Sequence, residues 1–405
     1  MAQKQNLQQI VVLGGGYAGV LAAIRLARQT QKLPIKIILV DASDGMVERI
    51  RLHQLATGQQ SNKIPYQKLL KNTSIQFLQG FVTAIKPDQK RIIIKENQTA
   101  KELSYDRLIY ALGSSVDMHS VSGVAKHSYN VGSYEMAIAL QQRLAKNPNS
   151  HLLICGGGLS GIETATEMAE AYPKLKITLL TSDSFGSQLS QLGQKYLEHT
   201  FQKRNILIKD KSKVIEVKAQ QVVLSDGSKV DFDFCLWTAN FTVPKIACES
   251  GLEVNKIGQI LVDKTLRSIS HPEIYGVGDA AIIEPTAEIH LRMSCASALP
   301  MGAHAADNVL AELQNSQPEA FRFGYGGRCV SLGRYDALIQ MVKYDDTPRE
   351  KIITGRLGAI IKEFICRYTI WSLNLERLGW FPYRWPQPNT QKKAILTSVS
   401  QHSTT

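Results

Sequence analysis

A chain of 405 residues is too long for one ordinary hydrophobic core and suits two or three domains. With 44% hydrophobic and 20% charged residues, 29 Gly and 14 Pro, it has a globular composition, and no apolar run reaches the roughly 18 residues of a membrane-spanning helix. The net charge of +12 fits an anionic membrane surface, anionic cofactors or plain solubility; with no basic low-complexity tail and no nucleic-acid-binding motif, nucleic acid is excluded as a partner.

The first predicted element is a strand at Ile10–Leu13. It breaks at once into Gly14-Gly15-Gly16, so it reads as a structural strand rather than a signal peptide, and a cytoplasmic location is expected. The six cysteines (Cys155, Cys235, Cys248, Cys295, Cys329, Cys366) form no C-x-x-C pair and no ligand-like spacing, which suits a reducing compartment and predicts neither metal site nor disulfide framework.

From Gly14 the chain reads Gly14-Gly15-Gly16-Tyr17-Ala18-Gly19, then an Ala/Leu-rich helical run to about Arg28, then an apolar strand Ile35–Val40 closed by Asp41. The same device returns downstream. Leu152–Cys155 leads into Gly156-Gly157-Gly158-Leu159-Ser160-Gly161, a helix to about Ala171, and a strand Ile177–Leu180. A strand, G-x-G-x-x-G turn and helix form a dinucleotide cradle: glycine makes the tight turn, lets a pyrophosphate approach backbone, and packs helix on strand. The pyrophosphate then rests on the free N–H groups at the helix's positive end.

The acid that ends the first unit's second strand, Asp41, is placed to accept hydrogen bonds from the adenosine ribose. The second unit ends Thr181-Ser182-Asp183, with neither the expected acid nor an Arg for a 2′-phosphate, so NADH and NADPH both stay open. The echo continues in Tyr105–Gly113, which runs through Ala111, and in Phe232–Asn240, which runs through Ala239; both read as buried strands ending at small-residue crossings. Then Ile274–Val277 closes on Gly278-Asp279.

These residues in this order resemble the flavoproteins with two dinucleotide-binding domains: the disulfide reductases, the ferredoxin reductases and the type II NADH:quinone oxidoreductases. The resemblance implies an α/β fold with two Rossmann-like domains, the NAD(P)H-binding domain (126–249) inserted in a split FAD domain (1–125 and 250–320), and a C-terminal segment over 321–405. It implies FAD at Gly14, Gly16, Tyr17, Ala18, Gly19, Asp41, Arg49, Val82, Ala111, Gly113, Gly278, Asp279, Met301 and Gly302, with Asp279 on the ribityl–pyrophosphate chain. It implies NAD(P)H at Gly156, Gly158, Leu159, Ser160, Gly161, Glu163, Thr181 and Ala239, with Glu163 facing nicotinamide and flavin as the candidate catalytic residue; a plain helix-N-terminal Glu is the other reading.

A disulfide reductase needs a cysteine pair beside the flavin, and Asp44–Gly58 contains none, so that branch is excluded. Its end, Leu52-His53-Gln54-Leu55-Ala56-Thr57-Gly58, is instead similar to the type II quinone enzymes. Cys295–His304 is expected to precede a helix running to about Leu313; the resemblance implies that its N-terminus points at the flavin pyrimidine edge, where the helix dipole stabilises negative charge. Here Ala296 and Pro300 occupy the positions of the two glutamines of the quinone enzymes' A-Q-x-A-x-Q-x-G pattern, while Ala298 and Gly302 keep to it, which leaves a quinone acceptor unsettled.

In the tail, Leu357, Ile360, Ile361, Phe364, Ile365, Tyr368, Trp371 and Leu375 make one apolar helical face, flanked by Arg356, Lys362, Arg367 and Arg377. Three tryptophans fall in 371–385. Residues 355–385 therefore read either as a peripheral membrane contact at the inner face of a membrane or as a helix packed on its own domain or in a homodimer. Residues 397–405, small and polar, are expected to lack order. The leading functional expectation is an NAD(P)H oxidoreductase passing hydride to flavin N5 and on to a quinone-like or other small organic acceptor. The alternatives are a soluble biosynthetic flavoenzyme and a redox-responsive binding protein.

Overall fold

Five strands with side chains apolar on both faces pair in parallel, in the order Ile274–Gly276, Arg107–Tyr110, Gln8–Leu13, Ile35–Asp41, Gln76–Gln79. Ile10–Leu13 and Leu39–Val40 are wholly buried, as near-continuous Val/Ile/Leu runs are when helices cover both faces of a parallel sheet. The computed structural model describes residues 7–60, 63–97, 99–285 and 290–388; the expectation for 397–405 lies outside them.

Strand Gln8–Leu13 feeds helix α1 (Tyr17–Gln29), and a three-stranded antiparallel meander spans Phe81–Ser104. Helix α2 (Tyr134–Lys146), capped by the Ser133 hydroxyl, introduces a second sheet. This has four parallel strands, in the order Ile206–Lys209, Lys176–Leu180, His151–Cys155, Phe234–Trp237. Helix α3 (Leu159–Ala171) follows His151–Cys155, helix α4 (Gln191–Lys203) follows Lys176–Leu180, and a second meander spans Val214–Asp231. The two halves repeat one plan.

The chain then returns to the first sheet through Ile274–Gly276, so that sheet is built from both sides of the second. Helix α5 (Cys295–Leu313) packs against α1, with Gly302 at the crossing; a Cβ on it would collide with the Ala18 backbone. The segment Cys295–His304, expected ahead of this helix, forms its first turns. The helix runs through Pro300, at the loss of one backbone bond.

A three-stranded antiparallel sheet (Gly327–Ser331, Ala337–Val342, Pro348–Thr354) leads into helix α6 (Gly355–Leu378), ended by Gly379 at φ +72°. Helix α6 lies on the molecule through Gly358, Cys366, Thr369, Ser372, Leu373 and Glu376. Glu376, fully buried, accepts from Arg25, Arg28 and the Tyr383 amide. Arg51 forks onto Glu363 at 3.0 and 3.1 Å.

The face that binds the molecule is thus not the apolar one, contrary to the reading of a helix packed through that face on its own domain. Leu357, Ile360, Phe364, Ile365, Tyr368 and Trp371 all remain exposed, together with Leu378, Trp380 and Phe381. Among the described residues no helix is long and apolar enough to cross a membrane.

Candidate functional site

The two glycine turns have the same geometry. Gly14 stands at φ +99° and Gly156 at φ +127°, where an L side chain is strained, and a Cβ on either would strike the neighbouring crossover at Ala111 or at Thr238. Gly19 and Gly161 allow each helix to lie on its turn, since a Cβ there would collide with the carbonyl of Gly14 or Gly156. The middle glycines differ from these. A Cβ on Gly16 or Gly158 meets no protein atom within 4 Å, so the protein itself leaves the space beside each of them open. Neither α1 nor α3 has a capping side chain, which leaves the first helical amides for an anion.

Both turns open into one cleft of about 470 Å³. Gly16, Tyr17 and Ala18 line one side of it, and Gly158, Leu159, Ser160 and Glu163 another. Arg49, Ala111, Gly113, Gly278 and Asp279 also line it, as does the first turn of α5 through Cys295 and Ala298. Asp279 accepts from the Ser114 hydroxyl on Oδ2 at 2.7 Å, while its buried Oδ1 has no hydrogen-bond partner among the described residues. Burial raises the pKa of this carboxyl. A buried acceptor without a donor is costly, so its position favours a ligand hydroxyl. Arg49 is held at the cleft by a bond from its guanidinium to the Ser114 carbonyl at 2.7 Å.

Other sequence-predicted residues lie near the cleft without lining it. Asp41 receives the Gly15 amide at 2.6 Å and the Ser43 amide at 2.7 Å, at the end of its strand beside the first turn. Gly14, Gly19, Gly156 and Gly161 shape the turns from beneath. Met301 is buried within α5, Gly302 at its contact with α1, and Val82 pairs with Ile94 in the first meander. Thr181 packs under Gly157, and Thr238 rather than Ala239 reaches the cleft.

Glu163 is where the cleft departs most from expectation. It lines the cleft, yet its Oε1 is held by Lys362 Nζ of α6 at 2.8 Å and by the Ser331 amide at 3.0 Å. Lys362 also donates to the Cys329 carbonyl at 2.9 Å. Burial opposes the carboxylate, but the Lys362 ammonium and the bonds from Lys362 and Ser331 outweigh it, and the pKa is held below the ordinary value. Burial likewise opposes the ammonium, and Glu163 overcomes it, raising Lys362. His53, buried beside this pair with Nε2 unpartnered, is pushed down to about 4 by desolvation and stays neutral at physiological pH.

Sequence reasoning placed Lys362 on the flank of an apolar helical face, with membrane contact and packing on the protein both open. The missed signal is a second stripe, Gly358, Lys362, Cys366, Thr369, Leu373 and Glu376, which follows the helical period with small and charged residues instead of apolar ones. Ser114 and Arg292 also line the cleft and carry no sequence motif of their own, and His53 joins them from the Leu52–Gly58 segment.

Residues 8–309 match the model of the pyridine nucleotide-disulphide oxidoreductases. The chain belongs to that family. It is an FAD-dependent NAD(P)H oxidoreductase, as the resemblance implied. It is similar to an NADH dehydrogenase-like protein of Mycobacterium tuberculosis, 27% identical over 352 residues that cover 82% of this chain and 87% of that protein. It is 24% identical to a type II NADH:quinone oxidoreductase of Haemophilus influenzae, over 82% and 86% of the two chains. The sulfide:quinone oxidoreductase of Aquifex aeolicus shares its fold, with TM-score 0.78 at 20% identity over 96% and 94% of the chains. Despite the family's name, the segment beside the first cradle, Asp44–Gly58, holds no cysteine.

Proposed function

We propose that the first cradle holds FAD and the second a nicotinamide dinucleotide, and that electrons pass between them in the shared cleft and on to a quinone-like acceptor. The observation that carries this reading is the single cleft lined by both open glycines, Gly16 and Gly158, with the unpartnered Oδ1 of Asp279 beside them. The names of the relatives from Mycobacterium tuberculosis and Haemophilus influenzae support the donor and, for the second, the quinone. Bound flavin supplies hydride acceptance and release, chemistry no side chain has.

The chain's own residues bind and position. The free amides of α1 and α3 take the two pyrophosphates, Asp279 takes a ribityl hydroxyl, and the N-terminus of α5 sets a positive potential at the cleft. The Lys362 ammonium spends two of its three N–H donors on Glu163 and the Cys329 carbonyl, leaving one for an acceptor oxygen in the cleft.

The exposed face of α6 supports membrane contact: Leu357, Ile360, Phe364, Tyr368 and Trp371 lie outward with Arg356 and Arg367 beside them. A second copy of the chain is the rival occupant, and flotation with vesicles separates the two. Anaerobic titration with NADH and NADPH, followed by reoxidation with a short-chain quinone, tests the redox reading. Flavin that neither nucleotide bleaches, or that no quinone reoxidises, would overturn it.

A further inference from the structure

The end of strand Lys176–Leu180 is the place where the chain meets the adenosine ribose, if the second cradle holds the nicotinamide as proposed above. Residue-by-residue correspondence of the two cradles is set by backbone bonds. The Gly14 amide donates to the Val40 carbonyl at 2.8 Å and the Gly156 amide to Leu180 at 2.9 Å, so Thr181 stands where the first cradle has Asp41. Asp41 presents a carboxylate there. Thr181 is neutral and packs under Gly157.

A carboxylate at this position binds the 2′-hydroxyl of NAD and repels the 2′-phosphate of NADP. Its absence removes the repulsion. The structure also supplies positive charge. The turn Lys209-Asp210-Lys211-Ser212-Lys213, after the neighbouring strand Ile206–Lys209, is clamped to Thr181 on both sides. Thr181 N–H donates to the Lys209 carbonyl at 3.0 Å, and Ser212 N–H donates to the Thr181 carbonyl at 2.8 Å. Lys211 N–H donates to the Asp183 carbonyl at 3.3 Å.

Lys209 faces Asp226 across the second meander. Lys211 and Lys213 are exposed, and no ion pair between described residues includes either. The opposing charges are Asp183 and Asp210, both exposed; the Ser182 hydroxyl donates to the Asp183 carboxylate at 3.4 Å.

We propose that Thr181 and the clamped lysine turn, through Lys211 and Lys213, form a subsite for the 2′-phosphate, so that the chain prefers NADPH. The phosphate displaces no acid and gains two charged donors, which bind phosphate more strongly than neutral ones.

The test is equilibrium binding of 2′,5′-ADP and 5′-AMP, which differ only in the 2′-phosphate, to the oxidised holoprotein by calorimetry, at low and high salt. The wild type is expected to bind 2′,5′-ADP about tenfold tighter at low salt, with the gap narrowing as salt screens the exposed lysines. Lys211→Ala with Lys213→Ala should close the gap while leaving 5′-AMP unchanged, and Thr181→Glu should reverse it. All three positions lie clear of the FAD cradle, so flavin content stays full and reports folding. Equal affinities for the two nucleotides in the wild type, including none measurable for either, would overturn the subsite. So would a gap that survives the double lysine variant. Bleaching of the flavin by NADH and NADPH alike, with equal affinities for 2′,5′-ADP and 5′-AMP, sinks only this proposal; bleaching by neither sinks the nicotinamide reading beneath it.

Discussion

Replacing Lys362 with Met removes one partner of a buried ion pair and leaves Glu163 without its counter-charge. At 2.8 Å and an effective dielectric of about 20, the attraction between the two is about 6 kcal/mol, and several kcal/mol of this is offset by desolvation of the ions. What the variant loses is larger than that remainder, because the carboxylate stays buried; breaking one side of a buried pair costs about 3–5 kcal/mol. For a chain of this length that lowers the melting temperature by roughly 4–6 °C.

The deficit must depend on pH. In the wild type, Glu163 is held below its ordinary pKa, so its contribution is present above the unfolded value of 4.5 and is lost as pH falls through the depressed folded value. In Lys362→Met the remaining burial lifts the carboxyl, which then penalises folding at neutral pH and is relieved by protonation. The gap between the two proteins is therefore greatest near pH 7 and narrows toward pH 5. Flavin-fluorescence melts of both proteins across that range measure it, with Glu163→Gln/Lys362→Met expected to recover most of the loss. A variant that melts within about 1 °C of wild type at pH 7, or a gap flat from pH 5 to 8, would refute the argument that Lys362 holds this charge.

Because a Cβ on Gly16 or Gly158 meets no protein atom, Gly16→Val should give folded but colourless protein, and Gly158→Val a yellow protein that NAD(P)H no longer bleaches; full flavin content in the first variant would misplace FAD. Asp279→Ala should fold and lose flavin on gel filtration, with Ser114→Ala a milder case; absorbance per chain reads both. Phe364→Glu with Trp371→Glu, at side chains 57% and 47% exposed, should abolish flotation with anionic vesicles and leave the melting temperature unchanged. Unaltered flotation of that variant would remove α6 as the membrane contact.

What the sequence determined by itself was whatever rests on local steric demand. Gly14 and Gly156 need positive φ, Gly16 and Gly158 need an open face, and Ile10–Leu13 and Leu152–Cys155 need burial on both sides; each requirement is written within ten consecutive residues. Two cradles therefore followed from the chain alone, and the family with them. Asp279 stands in the sequence as the acid closing an apolar strand, but a role toward the flavin came only with the family resemblance.

Tertiary structure decided the rest, because it depends on which distant elements meet. The apolar periodicity of 357–375 falls on a helix, as read, but periodicity measures which residues share a face and not which face is covered. Helix α6 turned its apolar stripe outward because Glu376 found Arg25 and Arg28, Glu363 found Arg51, and Lys362 found Glu163, all partners hundreds of residues away. Those pairings bring Lys362 to the cleft, and local sequence carries no record of the distance that an ion pair closes.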